Sequence, residues 1–409
     1  MTPSHDRNAE DAAATADGQA ADGMAADGIA VSAGVPVDEQ LMADAIAVGA
    51  GHLGFTGSNP SVGCLIVQEE AHGPRIIAAA VTAPGGRPHA ETQALAQAGE
   101  AARGATAYVT LEPCSHHGHT PPCAEALIRS GVSRVVISVV DPDPRVSGRG
   151  IAMLQEAGIV VETGVLASQG TRALEAYLMR MRLGRPHVTL KLALSRDGMI
   201  GDRARGAGQG QVAITGPEAR TYVQHLRART DAILVGIGTA LADDPDLTVR
   251  LPGLEERSPV RIVLDADLRL PPDSKLARSA RQVPVIAVAR PLASEEDNAE
   301  THARQLRIDA LSAQGVEVLE GDPRRLDLLL PALASRGLSS LLVEGGARTA
   351  ASFLAAGLVD RLLLFTGTPT IGPQGVASPV RPGLVPAQFL HMSGEAFGPD
   401  HLDIYERTA

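Results

Sequence analysis

His89-Ala90-Glu91, Pro113-Cys114 and Cys123 are the residues of this 409-residue chain whose types and spacing point most directly to chemistry. One imidazole and two thiols supply three ligands for a tetrahedral Zn²⁺. The fourth position is then left for water, the count of a catalytic rather than a structural site. Water in such a position acidifies enough to give hydroxide near neutral pH. Hydrophobic spacing places His89 and Cys123 at the starts of two helices, whose N-termini favour thiolate and hydroxide. Glu91 follows the histidine in the same helical turn, placed to shuttle protons rather than to bind metal. A lone His-x-Glu is common, and two cysteines with eight residues between them can also close a structural clip. The glutamate, the proline before Cys114 and the strand-loop-helix setting together favour catalysis. Cys64 lies in the apolar run Val62-Gly63-Cys64-Leu65-Ile66-Val67 and reads as a small buried hydrophobe.

A second group lies further on. Lys191 sits in an otherwise apolar strand, where a lysine needs a carboxylate partner or a ligand unless it snorkels out. Glu344 and Asp243, at or just past predicted strands, are the expected partners, since ligand sites gather at such ends of α/β sheets. Asp244, next to Pro245, reads as a turn residue. Leu341-Leu342-Val343-Glu344-Gly345-Gly346 is an apolar strand running into two glycines, followed by a helix over 348–356. Glycines let backbone approach a phosphate and a helix N-terminus attracts it; an ordinary strand-to-helix turn has the same pattern. Gly206, Gly208 and Gly210 follow no strand and open no helix, so they read as a loop rather than a nucleotide fingerprint.

The elements that must hold these groups alternate. A helix is expected over 38–50, strands over 62–67 and 76–81, a helix from His89, and a strand over 107–111. A helix over 123–130, a strand over 134–139, a helix over 150–157 and a strand near Ile159 follow. Leu183-Gly184-Arg185-Pro186 breaks the pattern and marks a boundary. Beyond it, strands are expected over 188–194, 232–235, 260–264, 285–289, 316–319, 341–343 and 362–365. The clearest helix there spans 215–229, with Thr215 and Glu218 as a capping box and Pro217 in the first turn. The reading is two α/β domains, 37–183 and 184–409, behind an Ala/Asp/Gly-rich disordered tail over 1–36.

Composition narrows the possibilities. A net charge of −11, nine aromatic residues and no Trp disfavour a nucleic-acid partner. No apolar run reaches the ~18 residues of a membrane span. The tail lacks the basic and apolar regions of a secretory signal. Three cysteines build no disulfide framework, so a reduced cytoplasmic setting is expected. The chain reads as an enzyme on small molecules that forms a homo-oligomer.

His-x-Glu followed by Pro-Cys is the arrangement of zinc deaminases. Asn59-Pro60-Ser61-Val62-Gly63-Cys64, Pro88-His89-Ala90-Glu91 and the run from Thr110 through Glu112-Pro113-Cys114 to Pro122-Cys123 resemble the bifunctional pyrimidine deaminase/reductase family of riboflavin biosynthesis. General cytidine and tRNA-adenosine deaminases usually place two residues between their cysteines; the longer spacer here resembles this family. Lys191 through Gly198, Ile214 through Arg220, Leu241 through Arg250 and Val343-Glu344-Gly345-Gly346 are similar to its reductase half. The resemblance implies a cytidine-deaminase-like α/β/α layered domain followed by a dihydrofolate-reductase-like α/β domain. It implies deamination of 2,5-diamino-6-(5-phosphoribosylamino)pyrimidin-4(3H)-one at one Zn²⁺ per chain, with Glu91 moving protons. NADPH then reduces the ribosyl side chain to ribityl.

Carried onto this chain, Asn59 would bind the pyrimidine and His116 the ribose phosphate, with His117 in a solvated loop. Arg227 and Arg250 would hold the phosphate in the reductase and Leu247 would touch substrate. Lys191, Asp243 and Glu344 would surround the opening sugar. Thr239, Asp243, Gly345 and Gly346 would contact the cofactor. The chain departs from many relatives at Thr82, where they have His, and at His119, where they have Lys or Arg. It departs again at Gln211 and Ala213, within Ser-x-Trp-Ile-Thr of many relatives. Two other readings stay open: a nucleic-acid or nucleoside deaminase with an added domain, and a deaminase whose second domain binds without turnover.

Overall fold

The computed structural model describes residues 35–117, 121–204, 212–291 and 299–408. The N-terminal tail over 1–34, His119, Gln211 and the glycines 206, 208 and 210 lie outside the described residues.

The first sheet contains β1 (Gly63–Glu70), β2 (Gly73–Val81), β3 (Thr106–Leu111), β4 (Arg134–Val139) and β5 (Val160–Thr163), in the order β2-β1-β3-β4-β5. β1 runs antiparallel to β2 and β3, whereas β3, β4 and β5 are parallel. Alternate side chains leave opposite faces of a strand, so a strand covered on both faces reads as a continuous apolar run. Cys64 and Ile66, Ala107 and Val109, and Val135 and Ile137 point into one core, with Ala94, Leu127, Leu154 and Leu178 from helices. Leu65, Val67, Tyr108 and Val136 point into the other, against Leu41, Met42 and Ala45 of helix Val37–Gly49. The result is three layers.

The second sheet is larger. Its strands are β6 (His187–Leu194), β8 (Ala232–Gly236), β9 (Val260–Leu264), β10 (Val285–Ala289), β11 (Glu317–Glu320), β12 (Ser340–Val343), β13 (Arg361–Thr366), β15 (Phe389–Phe397) and β16 (Asp400–Arg407). Between them in sequence, β7 (Met199–Asp202) and β14 (Gly375–Ala377) pair as a separate ribbon. The order is β11-β10-β9-β8-β12-β6-β13-β16-β15, parallel from β11 to β13 and antiparallel at β16 and β15. Helices cover both faces, so β6, β8 and β12 are buried apart from a few inward polar side chains.

The predicted elements fall within a few residues of the observed ones, with one correction of detail. Helix Pro217–Ala228 has Gly216, not Thr215, as its N-cap, and no side chain of the cap bonds back. The carboxylate of Asp400 accepts the Gly216 N–H at 2.6 Å instead, so the cap comes from β16 rather than from a capping box. Helices Ala167–Ala173 and Glu175–Leu183, the ribbon and the β15–β16 hairpin carry no expectation above.

Candidate active sites

His89 is the N-cap of helix Ala90–Ala98, Cys123 is the first residue of helix Cys123–Ser130, and Cys114 lies on the loop after β3. Their ligand atoms lie within 4.8 Å of one another. His89 Nδ1 is 3.3 Å from Cys123 Sγ and 3.7 Å from Cys114 Sγ. Ligands about 2.1–2.3 Å from a tetrahedral Zn²⁺ lie about 3.4–3.8 Å apart, so these donors fit the ion. The Cys123 N–H donates to Cys114 Sγ at 3.2 Å, a helix N-terminal contact that favours thiolate. Hydrogen bonding from Cys123, joined by His89, outweighs burial and holds the Cys114 thiol down at about 4. Cys123 is pushed up by Cys114 and by burial. His89 Nε2 is buried without a hydrogen-bond partner among the described residues.

Glu91 is 4% exposed, in the first turn of the His89 helix. Burial and the Cys114 charge push its carboxyl up to about 7, against the pull of His89. A buried carboxyl in the turn after the histidine is placed to take and give a proton beside the ligand set. A cleft of about 310 Å³ opens over these groups, lined by Asn59, Thr82, Arg87, His116, Tyr177 and Arg180 among others. The buried Glu112 carboxylate accepts the N–H groups of Gly148 and Gly150 at 3.0 and 3.1 Å, tying the end of β3 to the neighbouring loop. His116 Nδ1 is buried without a partner among the described residues. His117 instead points outward and meets Glu125 at 2.9 Å. Thr82 Oγ1 accepts the Val62 N–H at 3.0 Å, so this side chain serves the loop geometry. Cys64 is fully buried, and burial pushes its thiol up.

The second cleft, about 1200 Å³, lies along the carboxyl ends of β8, β9 and β12. Lys191 and Glu344 meet there at 3.8 Å, both side chains about a tenth exposed. Arg227 grips the same carboxylate through Nε at 2.9 Å and Nη2 at 3.0 Å. Burial alone would raise Glu344, but Arg227 and Lys191 hold it at about 2. Burial lowers Lys191 from its usual value. Arg227 Nη1 also donates to the Thr248 carbonyl at 3.2 Å. Asp243 lines the same cleft from helix Ile237–Asp243. Asp244 follows it with φ +39° and accepts the Lys275 N–H at 2.9 Å, as a turn residue does. Leu247 is also left-handed, at φ +55°, but its side chain is buried in the hydrophobic core beside the second sheet and does not line the cleft. Arg250 is exposed at the cleft rim, its N–H on Gln224 Oε1 at 2.7 Å.

Between β12 and helix Ala347–Ala355, Gly345 and Gly346 line the cleft with Thr239. Thr239 Oγ1 accepts the Gly346 N–H at 3.1 Å. A Cβ at Gly345 would come within 2.7 Å of Thr349 Cβ, so this turn has no room for a side chain. Bare backbone before a helix N-terminus fits the phosphates of a dinucleotide. Ala213 also lines the cleft.

The structure adds residues that sequence reading passed over. Tyr177, Arg180 and Met181 reach the first cleft from helix Glu175–Leu183. Asp141, Asp143 and Arg145 reach it from the loop after β4. The run Asp141-Pro142-Asp143-Pro144-Arg145 directly after an apolar strand was a usable signal, because parallel strands carry ligand groups at their carboxyl ends.

Residues 36–139 match the family model of the cytidine and deoxycytidylate deaminase zinc-binding region, and residues 186–402 match that of the RibD C-terminal domain. The chain is 41% identical over 360 residues to the riboflavin biosynthesis protein RibD of Escherichia coli, covering 85% of this chain and 92% of that one. The solved structure of RibD from Acinetobacter baumannii, form 2, superposes with a TM-score of 0.77 at 35% identity, covering 91% of this chain and 99% of that one. A Thermotoga maritima structure named diaminohydroxyphosphoribosylaminopyrimidine deaminase/5-amino-6-(5-phosphoribosylamino)uracil reductase superposes at 0.75 and 33% identity, with the same coverage.

Proposed function

The chain belongs to the RibD family of bifunctional riboflavin-biosynthesis enzymes, and from that premise we propose how its residues divide the two reactions. It is a zinc-dependent deaminase and an NADPH-dependent reductase in one polypeptide. The substrate of the deaminase is the phosphoribosylated diaminopyrimidinone in the name of the Thermotoga relative, and the reductase takes the resulting aminouracil.

The convergence of His89, Cys114 and Cys123 beside a buried Glu91 carries the first assignment. His89, Cys114 and Cys123 would hold the zinc, which would supply a water acidified enough to be nucleophilic near neutral pH. Glu91 takes a proton from the attacking water and delivers it to the exocyclic nitrogen, which leaves as ammonia. Asn59 orients the pyrimidine, and His116, with an unpartnered Nδ1, faces the ribose phosphate.

NADPH bound in the second cleft would supply the hydride that reduces ribose C1. Thr239, Asp243, Gly345 and Gly346 hold the cofactor. Lys191, whose proton burial loosens, protonates the sugar oxygen as the ring opens, with Asp243 and Glu344 around it. Arg250 and Arg227, which line the cleft, hold the phosphate; Leu247 is assigned to the substrate by the family resemblance alone. Arg227 spends three of its five N–H groups on Glu344 and Thr248, which leaves two for an anion.

The same reading divides the chain into a tail over 1–36, a deaminase over 37–183 and a reductase over 184–409. It places the enzyme in the cytoplasm as a homo-oligomer without nucleic-acid or membrane partners. Among the described residues no helix is long and apolar enough to cross a membrane. The nine-residue β15 forms one edge of the large sheet and exposes Leu390 and Met392, which supports self-association. One assay tests the whole: the diamino substrate with NADPH, following ammonia release and NADPH absorbance together. Both signals should appear in sequence, and ammonia without NADPH oxidation would overturn the reductase assignment.

A further inference from the structure

Helix Glu175–Leu183 is the last element before β6, and both halves of the chain hold it. Leu178 is buried in the core of the first sheet. The Glu175 carboxylate accepts two N–H groups from Arg361 of β13, each at 2.7 Å. Beside and beyond these anchors the helix presents Tyr177, Arg180 and Met181 to the zinc-site cleft.

Arg180 is stretched across the two halves. Its Nε donates to Ser339 Oγ at 2.8 Å, just before β12, and its Nη2 donates to the Ser58 carbonyl, next to Asn59. Ser339 is itself fixed, its N–H donating to the Asp231 carboxylate at 2.8 Å. The rest of the Asn59 segment leans on the second half as well. Arg257 Nη1 donates to the Gly51 carbonyl at 2.8 Å, and its guanidinium lies 5.1 Å from the Phe55 ring centroid. A Cβ at Gly54 would come within 2.6 Å of the Arg229 backbone, and one at Gly337 within 2.7 Å of Ser58 Cβ. On its other side the Asn59 amide packs against Gly86, where a Cβ would approach Nδ2 to 2.3 Å.

We propose that the reductase half positions the pyrimidine-binding wall of the deaminase, and that Arg180 is the positioning residue linking Ser339 to the Ser58–Asn59 backbone. This rests on the reading of the first cleft as the deaminase site. Residues 53–61 form no helix or strand; bonds within their own half, Thr56 Oγ1 to the Asn59 carbonyl at 2.7 Å and the Gly85 N–H to the Phe55 carbonyl at 2.9 Å, order part of the segment, and the contacts with the second half order the rest. Once the anchor is cut, Asn59 spends only part of its time in the competent pose, and apparent affinity falls by that fraction. Glu91 and the zinc ligands lie on other elements, so the chemical step after binding is untouched.

The test uses the full chain. Arg180→Ala and Ser339→Ala should each raise the KM for deamination by about tenfold, the low end of what one charge-assisted hydrogen bond supplies. The kcat for deamination, zinc content and kinetics on the deaminated intermediate should stay at wild type. Ser339→Thr keeps the hydroxyl and should keep the KM. The double variant should be no worse than Arg180→Ala, because both cut one link. An unchanged KM in Ser339→Ala overturns the proposal, as does a fall in kcat that tracks a lowered melting temperature. Glu91→Gln, assayed alongside, separates the two levels. If it abolishes deamination while Ser339→Ala does nothing, only the positioning role fails; if it deaminates normally, the cleft assignment itself fails.

Discussion

At the residue scale, both sites depend on charges held where water would not leave them unpaired. The zinc set was legible because its chemistry needs particular residue types, and His89, Cys114, Cys123 and Glu91 announce themselves by type and local spacing. Cys123→Ser should lose the metal and deamination together, leaving a protein that holds well under one zinc per chain by metal analysis. Full zinc in that variant would remove Cys123 from the ligand set. The second site was harder to read, because its central carboxylate serves two cations far apart in sequence. Glu344 was expected to meet Lys191, but its bidentate partner Arg227 had been read only as a phosphate ligand. Glu344→Gln leaves both cations buried beside a neutral amide. Breaking a buried pair in this way costs about 3–5 kcal/mol, which denaturant unfolding of the reductase half should show, with reduction lost and ammonia release kept. Unfolding at wild-type denaturant would mean that the cluster is better solvated than its burial implies.

At the scale of elements, strands with two covered faces and helices with one apolar stripe were readable from periodicity. What local pattern misses is help from a distance. The cap of helix Pro217–Ala228 comes from Asp400, so Thr215 and Glu218 matched a motif that the fold does not use. β15 exposes most of its length and helix Glu175–Leu183 has only one fully buried residue, so neither carries a strong apolar signal. The turn after β12 shows the reverse case, a glycine pair readable in sequence whose reason is tertiary. Thr239, more than a hundred residues upstream, accepts the Gly346 N–H. Thr239→Val keeps the shape but removes that acceptor, so NADPH affinity measured by titration should fall about fivefold to tenfold. Equal affinity would place the cofactor's phosphates elsewhere.

At the scale of the whole molecule, two sheets carry two clefts with different chemistry, and the order of the halves matches the order of the reactions. The halves touch through Arg180, Arg257 and Arg361, yet among the described residues none lines both clefts. The two half-reactions should therefore separate by mutation even though the halves pack together. The most direct measurement is steady-state kinetics of each half-reaction on its own substrate in Glu91→Gln, with zinc content measured on the same sample. Gln keeps the size but cannot shuttle the proton, so deamination should fall by roughly 10²–10⁴-fold. Zinc should remain, and reduction of the deaminated intermediate should match wild type. Loss of both activities in a folded, zinc-loaded protein would contradict the two-site account.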